Sequence, residues 1–191
     1  NNLTGPAARL ASKCNRVGVA ERFTDACVQK TVEVDLDVVS HLDTVITNLE
    51  LYLTRATKEL DPQSFHLLRT IPGVGKILAM SILYEVHDIA RFPTVQDFAS
   101  YARLIRCSRE SAGKRSGTSG SKIGKAHLKW AISEAAVLIL RHGDCDRLRN
   151  RLQRRHGKGK AMGVLTHKLG RTIYYMLLRK KPFDMERFLA A

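Results

Sequence analysis

No apolar run in this 191-residue chain exceeds the six residues from Ala135 to Leu140. A membrane-crossing helix needs roughly 20, so no membrane partner is expected. No secretory signal pattern stands at the N-terminus either. Cysteine is sparse: Cys14, Cys27, Cys107 and Cys145 form no Cys-x-x-Cys pair, and no histidine lies at zinc-finger spacing from a second ligand. That excludes a disulfide scaffold and a zinc ribbon. The four read as small, half-buried side chains in a reducing cytosol, and a cytoplasmic location is expected. The phosphate-loop pattern is missing too. Of the Gly-Lys pairs at 75–76, 113–114, 124–125, 157–158 and 159–160, none has a Gly five residues before its own Gly together with Ser or Thr after the Lys. Hydrolysis of ATP or GTP by that motif is excluded. An initiating Met is absent, since the chain begins Asn1-Asn2-Leu3. It is therefore expected to be processed, or to follow an N-terminal part of a larger protein.

Carboxylates are scarce in one half only. The chain has 32 Lys and Arg against 18 Asp and Glu, a net charge of +14 and an isoelectric point near 10.0. Residues 1–100 carry 10 basic and 12 acidic side chains; residues 101–191 carry 22 and 6, a surplus of 16. The second half should therefore meet a polyanion. Glu33, Asp35, Asp37, Asp43, Glu50 and Glu59 fall on one helical segment, as a solvated face rather than converging metal ligands. Hydrophobic residues at 44% and charged residues at 26% describe a globular chain, long enough for one domain with a helical extension.

Helical periods dominate what is present. Val39, Leu42, Ile46, Leu49, Leu53, Ala56 and Leu60 step by alternating threes and fours, a heptad seam that Val28 and Val32 extend backwards past the polar Asp35. The spacing suits a coiled coil, and equally an amphipathic helix packed on its own domain. Asp61-Pro62 ends it. Next, Ile71-Pro72-Gly73-Val74-Gly75-Lys76 sits between two helical stretches and reads as a helix-hairpin-helix over 65–87. Its glycines would leave amides bare at a helix start where a phosphate can be held. Thr94 with Asp97 is close to a capping box and starts a short helix holding Phe98, Ala102 and Ile105. Residues 106–124 have no apolar stripe and read as a loop rich in Ser, Gly, Lys and Arg. A helix follows from Lys125, with Leu128, Ala131, Ile132, Ala135 and Leu138 on one face, broken at His142-Gly143-Asp144. A short helix carrying Arg147, Arg149, Arg151, Arg154 and Arg155 is closed by Gly157-Lys158-Gly159. The last long helix has Met162, Leu165, Leu169, Ile173 and Met176 on one side, offers Lys160, Lys168, Arg171 and Arg179 on the other, and ends at Pro182. No alternating strand stands out, so the fold class is all-α. A helical linker or coiled coil over 1–62 leads to a helical domain over 63–191, with its basic helices over 125–191.

The serine segment invites chemistry. A serine hydroxyl is a poor nucleophile until its proton is taken or the charge that follows is stabilised. Lys114 and Arg115, close behind Ser111, would suit attack on a phosphodiester. The same residues serve equally well as a flexible loop whose cations touch a phosphate backbone.

The order of these motifs adds to this. The seam helix, IPGVGK with its helix, FASYARLIRCSRESAGKRSGTSGSKIGKAHLKWAISEAA, and HGKGKAMGVLTHKLGRTIYYML together resemble the C-terminal half of transposases of the insertion-sequence one-ten family, the bridge-RNA-guided recombinases. The most specific stretch is 104–129. There the family shows Leu-x-Pro, a Ser-Gly element, and Ile-Ser-Lys-x-Gly-Asn/Asp before Leu-Arg. Here Arg106 stands for the Pro, Ser111-Ala112-Gly113 for Ser-Gly-Gly, Gly120-Ser121-Lys122-Ile123-Gly124-Lys125 for the next element, and Leu128-Lys129 for Leu-Arg. The resemblance implies that Ser111 is the nucleophile that becomes joined to a DNA 5′ phosphate, with Ser108 as the fallback. It implies partners as well, DNA and a guide RNA, while the heptad spacing adds further copies of the chain, as dimer or tetramer, through the 28–60 helix. DNA contacts are expected from Gly73, Gly75, Lys76, Gly113, Lys114, Arg115, Lys122, Lys125 and Lys129. The family also implies an N-terminal domain of the RuvC resolvase type whose four acidic residues bind Mg²⁺. No segment here matches it, so the chain is expected to hold no metal or cofactor and, alone, to bind nucleic acid without chemistry. The rival readings are a non-enzymatic helix-hairpin-helix protein that binds DNA or junctions, and a structural RNA-binding partner.

Overall fold

The computed structural model describes residues 9–105, 107–111, 114–119 and 124–190. The chain divides into two units, one ending at Leu53 and the other beginning at Thr54.

In the first unit, short 3-10 turns at Lys13–Arg16 and Ala20–Arg22 precede helix α1, Ala26–Leu60, which runs on into the second unit. Asp25 caps α1: its carboxylate accepts the Cys27 N–H at 2.8 Å and the Val28 N–H at 3.3 Å. Arg16 is buried. Its guanidinium donates to the Leu10 carbonyl at 2.8 Å, the Ala11 carbonyl at 3.2 Å and the Ser40 hydroxyl at 3.2 Å, and it pairs with Asp43 at 2.7 Å. The fork of donors on one guanidinium thus ties the N-terminal segment onto α1. The heptad seam falls on this helix and is open: Leu42 is 51%, Ile46 52% and Leu49 55% exposed.

The second unit is helical. The last turns of α1 carry Thr57, whose buried hydroxyl bonds the Tyr84 hydroxyl at 3.0 Å. Asp61 then caps α2, Pro62–Arg69, accepting the Ser64 N–H at 2.9 Å with Pro62 in the first turn. A tight turn leads into α3, Lys76–Val86. Helix α4, Val95–Tyr101, opens on a complete capping box: the Asp97 N–H donates to Thr94 Oγ1 at 3.2 Å and the Thr94 N–H to Asp97 Oδ2 at 3.1 Å. Helices α5, Ala126–Ile139, and α7, Lys158–Arg179, pack on each other; α3 lies on α5, and α2, α4 and α6, Asp146–His156, lie on α7. Between them Phe65, Leu68, Ile82, Phe98, Leu128, Ile132, Leu165, Leu169 and Ile173 are fully buried, each contributing about 1.5–3 kcal/mol of transfer free energy. Phe92, Phe98, Tyr101 and Tyr174 form a chain of ring contacts 5.1–5.8 Å apart, and the Tyr174 hydroxyl donates to the Phe92 carbonyl at 3.1 Å. Helix α8, Met185–Ala190, closes the chain with Phe188 buried.

The all-α class holds, with two local departures. The expected serine loop contains a two-stranded antiparallel ribbon, β1, Cys107–Ser111, and β2, Lys114–Ser119. Its sequence, CSRES and KRSGTS, has polar residues at almost every position, so no apolar alternation announced it; backbone pairing across a short connection supplies the order. Gly157-Lys158-Gly159 closes α6 through Gly157 alone. With φ +74°, Gly157 donates its N–H to the Gln153 carbonyl at 2.9 Å and accepts from Ala161 at 3.0 Å, so one residue ends α6 and starts α7. Helix α7 stops at Arg179, where Lys180 turns left-handed at φ +52° two residues before Pro182.

Candidate nucleic-acid interface and serine ribbon

The two glycines of the α2–α3 turn do different work. Gly73 has φ +84°, and a Cβ there would stand 2.6 Å from Leu138 Cβ. It lets the turn lie directly on the end of α5, against the half-buried Leu138. Gly75 caps α3 at φ −82° with no atom within 4 Å of an added Cβ and no side-chain cap. Neither backbone conformation nor packing requires a glycine there. Gly75, Lys76 and Ile77 are exposed, so the first amides of α3 face solvent.

The ribbon sets the register of the serine segment. Cys107 pairs with Ser119, Ser108 with Thr118, Glu110 with Arg115 and Ser111 with Lys114, with an irregularity between Ser108 and Glu110. Ser111 therefore stands across from Lys114, at the innermost pair, whereas Ser108 lies three residues back. Gly113 and Lys122 lie outside the described residues.

Both stalks of the ribbon are tied to the helical unit. On the exit side Gly124 has φ +97°, and a Cβ there would stand 2.5 Å from the Tyr101 carbonyl oxygen and 3.1 Å from Arg103 Cγ. That carbonyl accepts the Lys125 N–H at 2.8 Å, and Arg103 Nε donates to the Gly124 carbonyl at 2.8 Å. On the entry side Arg103 turns left-handed at φ +53°, and the Leu104 N–H donates to the Ala99 carbonyl at 2.8 Å. Leu104 Cδ1 then fills the space where Gly170 of α7 lacks a Cβ. Two glycines distant in sequence thus allow the close approaches that fix the base of the ribbon.

Basic side chains stand at the start of α5 and along α6. Lys125 caps α5, half-exposed, and pairs with Glu85 at 3.6 Å; Lys129 is exposed one turn on. Helix α6 buries Leu148 and half-buries Leu152, leaving Arg147, Asn150, Arg151, Arg154 and Arg155 exposed. Composition had marked this helix as very basic, but its arginines were not among the expected DNA contacts. Their spacing of 147, 151, 154 and 155 was the available signal. Burial, with Arg151 nearby, holds the Lys168 ammonium below its ordinary value; burial, with Arg171 nearby, does the same to His167. Cations are crowded here. Cys145 is buried, and its thiol is pushed up by that burial and by Asp144 and Asp146, so it is no thiolate.

Among the described residues no group of three or more His, Cys, Asp or Glu side chains could hold a metal ion. None of their helices is long and apolar enough to cross a membrane. The described residues therefore offer a serine strand and cations, but no Mg²⁺ ligand set.

Residues 65–153, from α2 to late α6, match the family described as Transposase IS116/IS110/IS902 family. The chain is 30% identical over 158 residues to a pilin gene-inverting protein of Moraxella bovis, covering 78% of this chain and 48% of that protein. It is 29% identical over 125 residues to an insertion element IS110 uncharacterized 43.6 kDa protein of Streptomyces coelicolor, covering 65% of this chain and 31% of that one. Over residues 65–153 the chain is similar to IS116/IS110/IS902 transposases, and it spans half or less of the length of these relatives.

Proposed function

We propose that this chain is the DNA-binding, serine-bearing portion of a transposase that moves an insertion sequence by DNA strand exchange, with a guide RNA as second partner. The observation that carries the reading is the register of the ribbon inside the family-matched segment: Ser111 opposite Lys114, next to the pair of Glu110 with Arg115. In this reading Ser111 Oγ attacks a backbone phosphorus. The Oγ–P bond forms, the bond from phosphorus to the 3′ oxygen breaks, and the released 3′ oxygen takes a proton. The strand is left as a 5′ phosphoserine ester. Attack by another strand's 3′ hydroxyl reverses the step and restores the serine, so the exchange conserves bond energy. Lys114 and Arg115 would offset charge on the phosphate oxygens. Catalysis also needs groups beyond this chain, and the family resemblance points to a metal-binding domain of the RuvC type.

The turn at 70–75 acts in this reading as the hairpin of a DNA-backbone-binding helix-hairpin-helix, with the Gly75 and Lys76 amides and the Lys76 ammonium toward a phosphate. Lys125 and Lys129 add contacts at the start of α5. The open seam at Leu42, Ile46 and Leu49 supports self-association through α1 as a coiled coil.

Ser111→Ala in the full-length protein with its RNA should abolish both strand exchange and the covalent DNA adduct while leaving binding nearly intact; Ser108→Ala should leave both. Loss of the adduct only in Ser108→Ala would move the nucleophile three residues. Tight DNA binding with no adduct under any condition would favour the non-enzymatic binding reading.

A further inference from the structure

We propose that the arginine face of α6 is a docking surface for the sugar-phosphate backbone of duplex DNA. The inference rests on the nucleic-acid reading above and assigns a contact on a different element from the turn, the ribbon and α5. Arg147, Asn150, Arg151, Arg154 and Arg155 line one shallow concavity, and no carboxylate stands among its walls. Helical rise is about 1.5 Å per residue, so successive cations along the face lie roughly 5–6 Å apart, a ladder suited to neighbouring phosphates.

The alternatives explain less. A solvated helix face ordinarily interleaves the two signs of charge. Here the first-turn Asp146 is bound to Arg149 at 2.6 Å. Among the described residues no carboxylate forms an ion pair with Arg147, Arg151, Arg154 or Arg155. Favourable interaction of cations with the helix C-terminus accounts for Arg154 and Arg155 in the last turn, but not for Arg147 and Arg151. Like charges three and four residues apart repel, so the face is a net cost until an anion covers it. A neighbouring groove brings Asp144 and Glu186 near Arg147 and Arg151. The weight of the contact therefore falls toward Arg154 and Arg155, with Arg151 shared between the groove and the concavity. The concavity contains no aromatic ring on which an unpaired base could stack, which favours a duplex over a single strand. The Asn150 amide adds a neutral donor of the kind that positions a backbone without reading sequence.

The test uses the whole 191-residue chain and a labelled DNA duplex of arbitrary sequence, with affinity followed by anisotropy between 50 and 200 mM salt. Each phosphate contact contributes about 0.9 to the slope of log affinity against log salt. The combined variant Arg151→Gln, Arg154→Gln, Arg155→Gln should lower that slope by about 2.7, making its affinity loss over this range about 40-fold smaller than that of the unaltered chain. The matching Lys substitutions should keep most of the slope, since an ammonium still pairs with phosphate. The thermal midpoint should not fall in either variant, because the Gln substitutions relieve repulsion and the Lys substitutions keep it. An unchanged slope in the Gln variant, while the unaltered chain binds, overturns the α6 assignment alone. Preference of the unaltered chain for a competing RNA duplex or single strand over duplex DNA overturns the choice of partner. If the unaltered chain binds no nucleic acid, the functional reading above fails and this inference fails with it.

Discussion

Gly124→Ala tests whether the ribbon is stapled as described. Gly124 has φ +97°, where an L-residue is strained by about 1–2 kcal/mol. The new methyl would stand 2.5 Å from the Tyr101 carbonyl oxygen, which belongs to backbone and cannot swing aside. Relief requires Tyr101 and Lys125 to separate, breaking the 2.8 Å hydrogen bond between them at a further cost of about 0.5–1.5 kcal/mol. The sum is about 2–3 kcal/mol. In a unit of this size that lowers the melting midpoint by about 6–12 °C. Melting followed by circular dichroism at 222 nm measures it. Gly163→Ala is the control with opposite sign: it is an exposed glycine inside α7, with nothing within 4 Å of an added Cβ. It should stabilise by roughly 0.5–1 kcal/mol. A Gly124→Ala midpoint equal to that of the unaltered chain would show that residue 124 does not adopt the left-handed turn, and the account of the ribbon base would fall.

Gly73→Ala should destabilise by about 2 kcal/mol, since φ +84° and Leu138 both oppose a Cβ, whereas Gly75→Ser should be neutral or slightly stabilising as a helix cap yet weaken DNA binding; melting and anisotropy separate the two effects. Lys in place of both Ile46 and Leu49 should convert an assembled chain to monomers in sedimentation, and unchanged mass would show that the seam holds no second copy. Burial pushes the Asp61 carboxyl up, but hydrogen bonds from Ser64 and the Lys180 ammonium, 3.7 Å away, outweigh it and hold it below the usual range. Its contribution is therefore complete above the unfolded-state value near 4 and is lost as pH falls through the lower folded-state value. The stability gap between the unaltered chain and Asp61→Asn should shrink below about pH 4 in denaturant titrations, and a gap that widens on acidification would reverse the assignment.

Strong local signals carried most of the helical plan. Asp61-Pro62 stops α1 because proline cannot extend a helix, and the same Asp starts the next one. Thr94 and Asp97 make the capping box that their spacing announced. The heptad pattern falls on a single 35-residue helix. What stayed hidden depends on partners distant in sequence. The Arg16 anchor to Ser40 and Asp43 leaves no periodic trace. The ribbon escaped because its strands are polar on both faces and so lack the alternation that marks a half-buried strand. Gly73 was read as a residue that bares an amide, yet its missing Cβ is filled by Leu138, sixty-five residues on. Gly124 and Gly170 look ordinary in the sequence, and only the packing of Tyr101 and Leu104 shows that a side chain would not fit. In the basic half, charge was countable but direction was not. Which α6 arginines share a face became evident once Leu148 and Leu152 were seen to turn inward.

The central claim is that Ser111 becomes covalently joined to DNA, and one measurement reaches it directly. The full-length protein with its RNA is incubated with substrate DNA, denatured, digested with trypsin and nuclease, and the modified peptide is identified by mass spectrometry. Trypsin separates the two candidate serines, because Arg106, Arg109 and Lys114 bound the peptides Cys107–Arg109 and Glu110–Lys114. The account predicts a nucleotide remnant on Glu110–Lys114, attached to Ser111. A remnant on Cys107–Arg109 or elsewhere, or strand exchange that proceeds with no peptide modified, would contradict it.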